Sequence, residues 1–118
     1  MSRDIPESDW KIFRDVRAAA LERFCQRVLG DVERIMSDEA RSFHDRYLEI
    51  YKLIERRDGE LAHAFNDMRR STAIFQLAVI CSLDLLTPDE KLRFTLGTRD
   101  AIESLAGLSR SAGKDKHA

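Results

Sequence analysis

Apolar residues recur every three or four positions from Trp10 to Met36. Trp10, Phe13, Val16, Ala20, Phe24 and Val28 form one stripe, joined by Leu21, Cys25, Leu29, Val32, Ile35 and Met36. This spacing puts them on one broad face of an α-helix. Ser8 is suited to cap its start, with Asp9 in the first turn against the positive end of the helix dipole. Gly30 falls inside the pattern at a cost of about 1 kcal/mol. The helix is expected to fade near Ser37, after about 45 Å. Ser37-Asp38-Glu39-Ala40-Arg41 is a polar link of the length that joins antiparallel helices.

Ser42 caps a second helix, with Asp45 three residues on as a weak capping-box partner. Its stripe is Phe43, Tyr47, Ile50, Tyr51 and Ile54. Arg56-Arg57-Asp58-Gly59-Glu60 reads locally as a turn, yet Tyr47, Ile54, Leu61, Met68 and Phe75 stand at successive sevens. Tyr51, Phe65, Thr72 and Val79 follow the same step, missing only at Asp58. A loop resets such a phase, so the pattern predicts one long helix from about 43 to 85, bent near Gly59. The alternative is a break at Asp58-Gly59, with Asp58 as a new N-cap.

Within this helix Ile74 to Cys81 is apolar almost all the way round, which requires cover on two sides. Met68, Phe75, Val79 and Leu86 are expected to face the first helix. Ile74, Leu77 and Cys81 form a second contact line, expected to meet a second copy across a two-fold axis. The chain's own Leu92, Phe94, Ile102 and Leu105 are the competing cover.

Thr87-Pro88-Asp89-Glu90 is a capping box with proline at the first helical position. A short helix follows to Phe94, Thr95 to Thr98 interrupts it, and a last helix carries Ala101, Ile102, Leu105 and Leu108. The predicted fold is all-α: an antiparallel long-helix hairpin closed by two short C-terminal helices, as a dimeric bundle. Residues 1–7 read as an N-terminal arm, 8–108 as one helical domain and 109–118 as a flexible tail.

The 118 residues suffice for one modest core. Charged residues make up 35% of the chain but the net charge is −1, which argues against a dedicated nucleic-acid binder. The patterned apolar share of 43% argues against disorder. The amino terminus lacks the basic-then-apolar order of a signal peptide, and Ile74 to Leu86 falls short of the roughly 20 residues that span a bilayer. Cys25 and Cys81 sit on apolar helical stretches without metal-ligand spacing and read as buried thiols. A cytoplasmic protein is expected.

Candidate chemistry is sparse. Glu60 and His63 have the Glu-x-x-His spacing of di-iron bundles. His63 lies about 200° round the helix from Leu61, however, and so points away from the expected core. Arg56, His63 and Arg70 recur at sevens as a basic stripe for an anion or an acidic partner, thickened by Arg57 and Arg69. Glu55, Glu60 and Asp67 nearby make a solvated face the plainer reading. Asp89 to Ala106 can be laid on a helix-turn-helix, but Asp100 and Glu103 would then face phosphate.

Ser8-Asp9-Trp10-Lys11, Ala20-Leu21-Glu22-Arg23-Phe24-Cys25 and the run from Arg56 through Ala73 resemble a set of small bacterial all-helical proteins without an assigned function. The resemblance covers most of residues 8 to 95 and implies a helical fold, with no site residues to carry over.

The expected function is a non-enzymatic interaction or regulatory module acting as a homodimer, with no cofactor, and with Ile74, Leu77 and Cys81 at the interface. A nucleic-acid accessory protein using the Arg56 stripe is the alternative. A metal-dependent enzyme with a site built across a dimer from Glu60 and His63 comes third.

Overall fold

The computed structural model describes residues 5–117, with side chains as far as Gly107. The described chain is helical: α1 (Glu7–Met36), α2 (Phe43–Phe65), a 3₁₀ turn (Arg70–Thr72), α3 (Ala73–Ser82), α4 (Pro88–Leu92) and α5 (Leu96–His117). α1 and α2 form a long hairpin, and α3–α5 pack against one end of it. The Cα radius of gyration is 16.8 Å, against about 13–14 Å for a compact chain of this length. The distal half of the hairpin accounts for the excess.

α1 runs unbroken through Gly30, and its stripe from Phe13 to Val28 is buried as the spacing predicts. Its start differs. The helix opens at Glu7 after Pro6 rather than at Ser8, because Ile5 is drawn into the core and its carbonyl accepts Arg70 Nη2 at 3.0 Å. The described end of the expected arm is therefore core; residues 1–4 lie outside the described residues.

α2 is capped by Ser42, whose side chain accepts the Asp45 N–H, and it passes through Gly59 in phase. It does not continue to residue 85. The helix stops at Phe65, Asn66 is extended, and Asp67 has a left-handed φ of 62°. The break is held by three interactions: Thr72 Oγ1 donates to the carbonyls of Asp67 and Arg69, and the Gln76 amide donates to that of Asn66. By breaking here the chain folds α3 back into the core, where it packs mainly against α5. Leu77, Ile80 and Cys81 join Ile102 and Ala106 in one buried cluster.

α3 ends in a Schellman motif. Leu85 N–H bonds the Ile80 carbonyl at 3.2 Å, and Asp84 N–H bonds that of Cys81 at 2.9 Å. Asp84 occupies the position usually held by glycine, with a φ of 57°. Leu85 and Ile80, the apolar pair of the motif, are both fully buried.

The capping box at Thr87 is complete: its side chain accepts Glu90 N–H, and Glu90 accepts Thr87 N–H. The closing region has three helices rather than two short ones. α5 spans 22 residues, and its backbone stays helical to His117 where a tail was expected from residue 109.

Arginines from elsewhere in the chain bind the carbonyl ends of the first four helices. Arg46 donates to Met36 O, the last of α1, at 2.6 Å, and Arg17 donates to Phe65 O, the last of α2. Arg27 and Arg23 serve Leu83, Asp84 and Leu85 after α3, and Arg99 serves Phe94 after α4. Each cation meets carbonyls left without helical partners, at the negative end of the dipole.

Two carboxylates fasten α1 to the C-terminal helices. Arg23 grips Glu90 through two bonds of 2.6 and 2.8 Å. These bonds hold the Glu90 carboxyl below its usual range against the opposing effect of burial. Asp9 is fully buried and accepts Thr95 N–H at 3.0 Å, Thr95 Oγ1 at 2.6 Å and Thr98 Oγ1 at 2.6 Å. Burial pushes its carboxyl up, but the bonds from the Thr95 side chain, Thr98 and the Thr95 backbone together bring it below the ordinary value. Asp9 thus caps α5 as well as beginning α1.

Candidate interaction surface

The two hairpin helices face each other along lines marked by their contacts. Phe24 meets Phe65 edge-on at 6.1 Å, Asp31 pairs with Arg57 at 3.4 Å, and Arg46 reaches Met36 O. Leu53 and Ala64 are buried on the α2 line. In the distal half the apolar stripe of α2 is displaced from Leu53 and Ala64, while Phe65, five turns on from Tyr47 along the same line, meets Phe24 at the base. At about 100° per residue, Phe43, Tyr47, Tyr51 and Ile54 lie about 80–160° round from Leu53, and about 60–140° from Ala64, in the direction of increasing residue number.

On α1, Cys25, Leu29, Val32 and Met36 are displaced in the same sense, by about 80–140° from Phe24. The helices are antiparallel, so the same rotational sense carries both sets to one side of the hairpin. Contacts on the other side fix where α3–α5 lie: Arg23 and Arg27 reach the end of α3, and His63 meets Phe75 edge-on at 5.5 Å. The two displaced stripes therefore share the face turned away from α3–α5.

Among the described residues, nothing covers that face. Phe43 is 85% exposed, Tyr47 67%, Leu29 63%, and Tyr51 and Met36 59% each. Arg46 lies over the Phe43 ring at 4.5 Å, holding it at the tip.

Sequence reasoning identified every residue of this stripe but assigned it to the interior. The signal that could have corrected it is an excess. α1 carries more apolar positions than one neighbour can cover, and two aromatic hydroxyls, Tyr47 and Tyr51, sit where a closed core would have to satisfy them.

The residues expected at an interface are placed otherwise. Leu77 is fully buried, Cys81 is buried and Ile74 is half-buried, all within one chain. The second side of the apolar segment is met by α5 of the same chain. Phe75, expected to face α1, is instead about half exposed beside His63.

The basic stripe is not assembled. Arg56 is exposed on α2 and His63 rests on Phe75, whereas Arg70 lies beyond the break and is engaged with Ile5 O. The sevens that joined them depend on a helix that stops at Phe65. Glu60, partner to His63 in the metal reading, accepts Arg57 Nη1 at 2.9 Å. Among the described residues, no group of three or more His, Cys, Asp or Glu side chains is arranged to hold a metal ion. The helix-turn-helix reading fails at its second helix, because the amino end of α5 that would approach phosphate is occupied by Asp9.

A hollow of about 390 Å³ lies between α4 and α5, lined by apolar Pro88, Leu92, Leu96 and Ile102 and by Lys91, Arg99, Asp100 and Glu103. Among the described residues, no helix is long and apolar enough to cross a membrane. Compared with protein-family models, with curated proteins and with solved structures, the chain shows no match.

Proposed function

We propose that this protein is a non-enzymatic interaction module that engages a protein partner through the apolar face of the distal α1–α2 hairpin. One observation carries the reading: Phe43, Tyr47, Tyr51, Leu29 and Met36 are exposed together on one side of two packed helices. With Ile54, and taking about 200 Å² for each large side chain, the exposed area comes to about 700 Å². A typical monomer shows a largest apolar patch of about 300–600 Å², and a standard protein interface buries about 800 Å² on each side.

The titratable groups support the same reading. Asp9 and Glu90, whose carboxyls titrate low, are both taken up by bonds that hold helices together. Neither is aimed into a cleft.

A photo-crosslinking residue at Tyr51 tests the proposal in the native host. Discrete adducts are expected from Tyr51 and not from its neighbour Lys52, which lies on the opposite edge of α2. Adducts of equal yield and pattern from both positions would refute the assignment of this face.

A further inference from the structure

The rim of this face is acidic. On α1 the outer positions beside Leu29 and Met36 are Glu22 and Glu33; on α2 those beside Tyr51 and Ile54 are Glu55 and Asp58. All four are exposed, and none forms an ion pair among the described residues. The cations of the distal hairpin are elsewhere. Arg46 is held by Met36 O and Phe43, Arg57 by Asp31 and Glu60, and Arg41 by Glu49. Arg34, Lys52 and Arg56 lie on the other side of their helices. His44 is the one basic side chain near the rim, and Lys11 and Arg14 share the side of α1 only about 12–16 Å nearer the base.

We infer, building on the function proposed above, that the partner is an amphipathic helix whose apolar stripe is flanked by lysine or arginine. Two packed helices that expose a continuous apolar trough offer the seat for a third, in the helix-in-groove mode. The stripe from Phe43 to Ile54 runs about 16 Å, which fits a partner helix of three to four turns. A second copy of this chain fits less well. A two-fold pairing centred on this face sets Glu22, Glu33, Glu55 and Asp58 against the same four carboxylates, and like charges across an interface suppress association.

Two synthetic helical peptides of roughly five turns test this, one with leucine on one face and lysine elsewhere, the other with glutamate in place of lysine. Fluorescence anisotropy at low salt should show saturable binding of the lysine peptide, at least about tenfold tighter than the glutamate peptide, as several rim ion pairs would give. Tyr47→Ser with Tyr51→Ser should weaken it by about tenfold or more, while Phe75→Ser leaves it unchanged. Glu33→Lys with Glu55→Lys should reverse the preference between peptides. Equal binding of both peptides, still weakened by the tyrosine changes, would overturn the basic-partner inference and leave the interaction face standing. A wild-type dimer in light scattering that the tyrosine changes dissociate would do the same, naming a second copy as occupant. Binding of either peptide that is indifferent to Tyr47 and Tyr51 would overturn both.

Discussion

The carboxylate of Asp9, in the first turn of α1, is the acceptor for both the hydroxyl and the backbone N–H of Thr95, a residue 86 positions further along the chain. A third bond from the buried Thr98 completes the set; Asp9 itself is shielded from water, while Thr95 lies at the surface.

Asp9→Asn removes the charge and offers one acceptor where there were two, leaving at least one buried donor unmet. A loss of about 1–3 kcal/mol is expected at neutral pH. The folded-state carboxyl titrates below the value of 3.8 for the free side chain. The stability it contributes is therefore fully present above that value and is lost as pH falls through the lowered folded value. Urea unfolding should show a gap between wild type and variant that closes in acid; a gap independent of pH would rule out this role.

Asp84 stands in left-handed backbone where its own helix ends. Glycine has no steric penalty there, aspartate is tolerated, and alanine is the least suited of the three. The expected order of stability is Asp84→Gly, then wild type, then Asp84→Ala, with steps of about 0.5–1 kcal/mol. Thermal melts of the three proteins decide it, and an alanine variant as stable as wild type would contradict the motif.

Gly59 lies inside α2 with ordinary helical backbone, and a Cβ there would meet open space. Gly59→Ala should raise stability by about 0.5–1 kcal/mol. A measurable fall in the denaturation midpoint would mean the segment is a turn that requires glycine.

Leu77 and Tyr47 separate the core from the interaction face. Leu77→Ala opens a cavity in a fully buried position and should cost about 2–5 kcal/mol. Tyr47→Ser, on an exposed site, should change stability by no more than about 0.5 kcal/mol. Denaturation curves that rank the two the other way round would exchange their roles.

The contrast between these residues shows what the sequence could carry. The stripe of α1, the caps at Ser42 and Thr87 and the continuity through Gly59 are local, so spacing and residue type were enough to find them. The end of α2 was not legible in the same way. Leu61, Met68 and Phe75 keep their spacing of seven across it, because α3 resumes an apolar pattern that happens to be in phase. The contrary signal was Asn66-Asp67, a pair that favours turns and tolerates left-handed backbone.

The interaction face was hidden for a different reason. Periodicity reports that a residue is apolar and on a given side, but not whether another element arrives to cover it. Once α3 folds back onto α5, none among the described residues is left for Phe43, Tyr47 and Tyr51. Asp9 illustrates the same limit: its position suggested a favourable charge for its own helix, while its bonds go to another.

The arginines that close the carbonyl ends of α1 to α4 alter how the protein presents itself to ions and partners. A net charge of −1 suggests near neutrality. Yet Arg17, Arg27, Arg46 and Arg99 are each directed at main-chain oxygen, in exchange for dipoles rather than carboxylates. Carboxylates that such cations would otherwise pair with are left facing solvent, so the outer field is divided into local negative and positive patches although the net charge stays −1. Added salt screens that outer field first, while corners tied by charge-to-dipole bonds at short range, several of them partly sheltered, feel it least. Ionic strength is thus a lever on what the molecule attracts far more than on whether it stays folded.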